Sequence, residues 1–425
     1  LAKRPTRHAP SPAPCGRARM ADRPTLVFIL ATITLDAMGI GIIFPVMPDL
    51  IEEVRGVGLA SAAIWGGILS AIFAVMQFLF SPVLGNLSDR YGRRPILLIS
   101  LIVLAADYVV MALAQTIWVL ILARVVAGIT SATYTTIYAM VADIYDGPER
   151  SAKFGLIAAG FGIGFVAGPA LGGLLGDLDP RAPFWGAALL ALLNFGLGWV
   201  VLRETLSNRH RRTFDIRRAN PLGGLKAMEK LPGMRQLLLV ILIYHVASWV
   251  YPAVWAYWTQ ARFGFDPGLV GLSLAAYGIG LFITQAFLIR PIIHRFGERR
   301  VIYGSLCLTI VTLIYLGLIR EAWMLWAVLP LLALTDMTEP ALQGLMSQRA
   351  SADQQGELQG VQGSLQAIAT IISPLVMTQI FWWFSREDAS PYAPGAPFLF
   401  AALLIAGCLA LFAFRPRRRA SADAP

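Results

Sequence analysis

The chain is short of what a soluble enzyme uses. Asp, Glu, Lys and Arg together make up 14% of its 425 residues, against roughly 25% in an ordinary soluble domain. That deficit excludes a water-soluble globular enzyme and a charge-rich disordered protein. The three cysteines, Cys15, Cys307 and Cys408, are odd in number and scattered. Neither a disulfide framework nor a metal-binding spacing follows from them. Those cysteines and the four histidines form no nucleophile–base or metal set, so neither a metal site nor membrane-embedded enzyme chemistry is expected. No Gly-x-x-x-x-Gly-Lys-Ser/Thr loop occurs, which removes an ATP-driven machine.

What the chain has is apolar length. Hydrophobic residues make up 57% and the mean hydropathy is +0.64. A helix needs about 20 mostly apolar residues to cross roughly 30 Å of hydrocarbon. Twelve such stretches occur, the first near Leu26–Met47 and the last near Phe398–Phe414. They are continuous runs, not the alternating segments of about ten residues that build a membrane β-barrel. Lipid cannot satisfy free backbone groups, so these runs read as helices. The first carries Asp36 in its middle and is too long for a signal-peptide core, so it reads as a retained span. Residues 1–19 read as a Pro/Arg-rich tail, and Met20 as a natural start.

A chain this apolar is also basic, with a net charge of +10. About 29 of the 35 Lys/Arg fall on one side of the twelve spans, which makes that side cytoplasmic by the positive-inside rule. Both termini are then cytoplasmic, in a bacterial-type inner membrane. The densest cluster, with Arg209, Arg211, Arg212, Arg217 and Arg218, lies between spans six and seven; Arg415, Arg417, Arg418 and Arg419 follow span twelve. These runs suit topology and anionic lipid, and no nucleic-acid partner is expected. The expected organisation is a tail at 1–23, a six-helix bundle at 24–202, a cytoplasmic linker at 203–235, a second six-helix bundle at 236–414 and a tail at 415–425.

The two bundles show weak self-similarity at a constant offset of 205 positions. Arg90-Tyr91-Gly92 matches Arg295-Phe296-Gly297, Arg94 matches Arg299, Thr130 matches Thr335, Gly155 matches Gly360 and Pro169 matches Pro374. Repeated halves around a central site are how many transporters achieve alternating access.

A charge at the bilayer centre costs at least about 2.5–3.5 kcal/mol, so it normally faces a cavity. Asp36 sits midway along span one, among Gly39, Gly41, Pro45 and Pro48. It can exchange a proton for a cationic substrate, or make a fixed helix–helix hydrogen bond. Asp107 in span three offers the same two readings. Arg124, Gly128, Ser131 and Thr135 form one small, polar stripe on span four. Arg124 there can register the protonation of an acid or form a purely structural ion pair. In span ten, Asp336, Glu339 and Gln343 share one helical face, and the two acids repel when both are ionised. Gln359, Gln362, Gln366, Thr370 and Ser373 on span eleven read as a cavity wall or as helix packing, and Gln77 is placed on the cavity from span two. His245 reads as a packing residue. Trp249, Tyr251, Trp255, Tyr257 and Trp258 read as an interfacial aromatic belt, with substrate stacking as the alternative.

Longer motifs carry a resemblance. The loop after span two, Gly85-Asn86-Leu87-Ser88-Asp89-Arg90-Tyr91-Gly92-Arg93-Arg94, resembles the signature cytoplasmic loop of the major facilitator superfamily. Span five, with Gly164, Gly168, Pro169 and Gly172, is similar to the antiporter motif of its drug/proton antiporters. Leu35-Asp36-Ala37-Met38-Gly39, Pro340-Ala341-Leu342-Gln343-Gly344 and Gln355-Gly356-Glu357-Leu358-Gln359-Gly360 resemble the tetracycline/proton antiporters. That family carries a His in span eight and an acid in span nine; at the matching positions stand Leu281 and Leu308.

In the signature loop, Gly85 and Gly92 are expected to form a tight turn. Asp89 is expected to face a helix N-terminus and Arg93 to pair with Asp143. By resemblance, this cluster clamps the cytoplasmic side and breaks when the carrier opens inward. His294 replaces its acid in the second half.

The expected protein is therefore an all-α integral membrane protein. Twelve transmembrane helices form two six-helix pseudo-repeats around a central cavity. The resemblance implies a proton-coupled exporter of a drug-like compound such as tetracycline, working by alternating access. A proton-linked importer or facilitator of a small metabolite is the alternative. No cofactor is expected beyond the coupling proton. A tetracycline substrate would travel as a metal chelate. The partners are the bilayer, the small molecule and protons, and no oligomer is required.

Overall fold

The computed structural model describes residues 16–131, 133–145, 147–207, 211–214, 220, 221, 223, 227–231, 233–351 and 354–414. Among them it contains helices and no strand. Arg209, Arg217, Arg218 and the tail with Arg415–Arg419 lie outside the described residues.

Twelve helices are long and apolar enough to cross a membrane. Spans one to six are Pro24–Ile43, Leu59–Tyr91, Arg93–Leu113, Ile117–Ile144, Ala152–Gly176 and Ala182–Val201. Spans seven to twelve are Arg235–Phe263, Pro267–Phe296, Glu298–Leu318, Ala322–Ser347, Gln355–Ser385 and Ala396–Ala413. The long connection between spans six and seven defines a linker face. The opposite surface is the far face.

The 205-position repeat is written into the backbone. The helix of span one stops at Ile43 and a new one starts at Met47; span seven breaks in the same way at Trp249. Span four is interrupted at Ser131, and span ten at its repeat partner Asp336. Gly92 and Gly297 both take positive φ, at 107° and 77°, a region closed to most side chains. Each lets the chain leave one span and enter the next within a single residue. Gly85 plays no part in this reversal, because the helix of span two runs through it to Tyr91. The expected turn at Gly85 is therefore corrected. One glycine with positive φ suffices to reverse the chain, so the helix keeps the other.

The halves meet near the far face and part toward the linker face. At the far ends glycines are clasped across the boundary. A Cβ at Gly173 would strike Pro267 and Gly268, and one at Gly271 would strike the Pro169 carbonyl. One at Gly67 would strike Pro374 and Thr378, and one at Gly66 the Tyr257 hydroxyl. At the linker-face ends, Gly85, Gly155, Gly356, Gly360 and Gly363 meet nothing within 4 Å. These contacts hold the two halves together at the far face, and these linker-face glycines touch nothing across the boundary.

The aromatics of span seven do not form an interfacial belt. Trp255, Tyr257 and Trp258 are buried, and Trp258 packs edge-on against Phe398 at 4.7 Å. Trp255 donates its indole N–H to the Ser273 hydroxyl at 2.9 Å. Burial between spans seven, eight and twelve gives these rings partners that a lipid headgroup region would not.

Candidate transport pathway

Polar side chains gather in each half around the interrupted helices. In the first half Asp36 is buried at 7% exposure beside Thr133, just past the break in span four. Tyr108 lies close by: a Cβ at Gly39 would sit 2.8 Å from its hydroxyl. Asp107 and Arg124 form a buried ion pair. Arg124 also reaches the Met111 sulfur at 2.6 Å and lies 5.6 Å from the centre of the Phe73 ring. The pair is not fully satisfied, since among the described residues Asp107 Oδ1 and Arg124 Nε have no partner. Gln77 donates to the Ser131 hydroxyl at 2.7 Å, tying span two to the break.

In the second half a cavity of about 240 Å³ is lined by Leu281, Gln285, Asp336, Glu339, Pro340 and Gln343. The break in span ten separates Asp336 from Glu339, yet both acids reach this space. Tyr277 donates its hydroxyl to Asp336, and Gln343 donates to Glu339 at 3.0 Å. Gln285 reaches the Asp336 carbonyl at 3.4 Å. Leu281 thus stands in the same cavity as the acids of span ten. On span eleven Gln366 is exposed. Gln362 is buried against Met346, and Ser373 donates to the Val246 carbonyl at 2.7 Å. That face is therefore shared between cavity wall and helix packing. His245 is buried against Tyr244.

The signature loop forms a third cluster. Arg93 donates to Asp89 at 2.6 Å, to Asp143 at 3.1 Å and to Ser88 at 3.1 Å. The expected Arg93–Asp143 pair is present. Asp89 does not face a helix N-terminus: its carboxylate is taken by Arg93. Glu204, just past span six, has that place instead. It accepts from the N–H groups of Arg93 at 2.9 Å and Arg94 at 3.2 Å, where the dipole of span three is positive. Nothing in the motifs singled out Glu204, although an acid directly after a span and beside the basic linker was its signal. Arg90 points away, over the Tyr91 ring at 5.0 Å.

Arg93 anchors this cluster. Among the described residues its bonds stay within the first half and do not span the boundary between the halves. In the second half Glu298 stands at the repeat position of Arg93 and accepts from Gln348, the counterpart of Asp143, at 2.9 Å.

Span five uses its glycines on two sides. Cβ atoms at Gly164, Gly168 and Gly172 would strike the Thr34, Met38 and Ile42 carbonyls of span one, while Gly41 of span one rests on Pro169. Gly173 and the Pro169 carbonyl face span eight. The motif seats span five against both neighbours at backbone distance.

The sequence profile of the Major Facilitator Superfamily matches residues 29–247 and 237–425. The chain belongs to this superfamily. It is a membrane transporter and not an enzyme. Within the superfamily it belongs with the tetracycline resistance proteins. It is 40% identical to the class C tetracycline resistance protein of Escherichia coli, over 85% of this chain and 91% of that one. It is 38% identical to the class G protein of Vibrio anguillarum, over 84% and 91%. In fold it is similar to a bacterial homologue of the human lysosomal transporter Spinster, crystallised inward-facing and unoccupied. The TM-score is 0.74 at 16% identity, covering 92% of this chain and 96% of that one. Twelve spans and two repeated halves are the architecture of alternating access in this superfamily member.

Proposed function

We propose that the protein exports tetracycline or a close chemical relative from the cytoplasm in exchange for protons. The linker face is the cytoplasmic one, both termini lie there, and the membrane is a bacterial inner membrane. The observation that carries the coupling is the cavity of the second half. Two carboxyl groups, Asp336 and Glu339, share it, and among the described residues no Lys, Arg or His neutralises either. An uncompensated carboxylate in a low-dielectric site must take a cation or a proton. Cationic substrate and proton therefore compete for the same oxygens.

The first half behaves differently. Asp107 is already paired with Arg124, so it orders the bundle. Asp36, beside Thr133 at the break in span four, can relay a change of protonation to that hinge. Substrate enters through the linker face and displaces the proton. The halves then rock, and the far face opens to release the substrate and reload protons. The similarity to the tetracycline resistance proteins supports tetracycline, carried as a metal chelate. The proton-binding pair stands in span ten, where Leu281 replaces a histidine on span eight.

The test is transport in everted vesicles of a pump-deficient host. Acidifying the lumen should drive tetracycline into the vesicles, and a protonophore should stop it. Tetracycline uptake that ignores the pH gradient removes proton coupling. No uptake, together with full tetracycline sensitivity of the host, removes the substrate.

A further inference from the structure

The far face is where the halves grip each other, and one side chain there has no part in the pathway. Span five ends at Gly176, and Asp177 follows it directly. A carboxylate at a helix C-terminus faces the negative end of its own helix dipole and is unfavourable there. Asp177 reaches instead into the other half. Its Oδ1 accepts a hydrogen bond from the backbone N–H of Gly268, 2.8 Å away, in the first turn of span eight.

The N-terminus of span eight is built to receive it. Pro267 leads the helix and has no N–H to offer. Asp266 caps it by accepting from the Leu269 N–H at 2.7 Å, and the Asp266 carbonyl takes the Val270 N–H at 3.1 Å. Asp177 takes the remaining N–H of that turn and so completes the cap from across the boundary. The approach leaves no slack, since a Cβ at Gly268 would strike the Asp177 carboxylate.

The arrangement has no twin. The repeat partners of Asp177 and Gly268 are Trp382 and Ala63. The matching crossing, of spans eleven and two, closes on Gly67, Pro374 and Thr378. Spans five and eight cross at the far face, as do spans two and eleven, and this charge-to-helix contact secures the first crossing.

We propose that Asp177 is a positioning residue of the transport cycle, a latch that holds the N-terminus of span eight while the far face is shut and releases it when that face opens. Both partners sit at the water-exposed rim, so water replaces the bond after release. The latch biases the two states without freezing either, and its action is independent of which compound is carried.

The test measures the two states directly in full-length protein in liposomes. Cys15, Cys307 and Cys408 are replaced by Ala, and spin labels are placed at Trp118→Cys and Trp323→Cys. These are repeat-related and exposed (71% and 65%) at the far ends of spans four and ten. Asp177→Ala should raise the ratio of long to short label distances about three- to tenfold, a change of one decade corresponding to about 1.4 kcal/mol. Asp177→Asn keeps the shape and loses the charge, and should give an intermediate shift. Gly268→Ala, which crowds the carboxylate, should reproduce the Asp177→Ala result. Asp179→Ala, two residues on, removes an acid that bonds within its own loop and should change nothing. Unfolding midpoints on the same samples should stay level, which separates a latch from a general loss of packing. Distance distributions unchanged in both Asp177 variants overturn the proposal, and so does an equal shift from Asp179→Ala.

Discussion

At the loop after span two, Arg93 is held by Asp89, Ser88 and Asp143. At the repeat-related loop after span eight, the positions of Asp89, Arg93 and Asp143 are filled by His294, Glu298 and Gln348. The backbone is the same, down to positive φ at Gly92 and Gly297, but a three-charge cluster has become one neutral-to-charged hydrogen bond. Within the membrane the difference repeats. Asp107 and Arg124 pair in the first half, while their counterparts are Thr312 and Leu329; Asp336 and Glu339 stand opposite Ser131 and Tyr134. The first half pairs Asp107 with a cation and leaves Asp36 beside a hydroxyl, and the second leaves both of its carboxyls without a counter-charge. The duplicated scaffold carries its buried charge differently in its two halves.

Substitutions in each half test that difference. The largest expected effect follows from Arg124→Leu, which strands Asp107. Losing one partner of a buried pair should cost about 3–5 kcal/mol, read as a lowered midpoint of unfolding in detergent. Asp107→Thr with Arg124→Leu copies the second half and should recover most of that loss. A single variant as stable as the parent would mean that the pair does not hold the first half together.

Next in size, Asp336→Asn with Glu339→Gln should lower proton-driven uptake at least roughly tenfold. Counterflow at equal pH should fall as well, because the substrate uses the same oxygens, while the midpoint of unfolding stays level. Proton-driven uptake that keeps its size would remove the pair from the exchange, and a lowered midpoint would assign it to structure.

Smaller effects separate the glycines. Gly92→Ala and Gly297→Ala each force a side chain into positive φ at about 1–2 kcal/mol. Gly92→Ala should cost more, because its Cβ would also meet Glu204. Gly85→Ala lies within a helix with open space around it, and should be neutral or stabilising by up to about 1 kcal/mol. Thermal unfolding of the three variants gives the order.

The smallest concerns Asp49, between spans one and two, whose carboxylate oxygens lie 3.4 Å from the Gln260 amide across the boundary. Burial raises its carboxyl above the ordinary range, and the Gln260 bond only partly opposes this. The shut far face therefore holds that proton more tightly than the open one. Shutting is favoured at low pH and loses this contribution as pH rises through the raised value. Label distances across the far face, followed as pH rises, should lengthen in the parent and lengthen less in Asp49→Asn.

Much of the molecule is legible in its letters. Span number, the 205-position repeat and the Arg93–Asp143 pair follow from apolar length, a constant offset and opposite charges at loop ends. Three features are not. The belt reading of Trp255 and Trp258 fails because an aromatic at a span end suits a headgroup layer and a tertiary cluster equally well. Gly85 is misplaced because a glycine permits a turn without requiring one. Glu204 and Asp177 act through backbone N–H groups of distant helices, and a backbone donor leaves no letter in the sequence to pair with.

The missing counter-charge in the second half also has an electrical consequence. A carrier whose exchange site is negative when empty changes its net charge with each ligand it takes up. Reorienting that site moves charge through part of the transmembrane field, and each elementary charge carried across fully is worth about 2.3 kcal/mol per 100 mV. Turnover should therefore generate a current whose size and sign depend on whether protons, substrate or neither occupies Asp336 and Glu339. The membrane voltage then weighs on one limb of the cycle more than on the other.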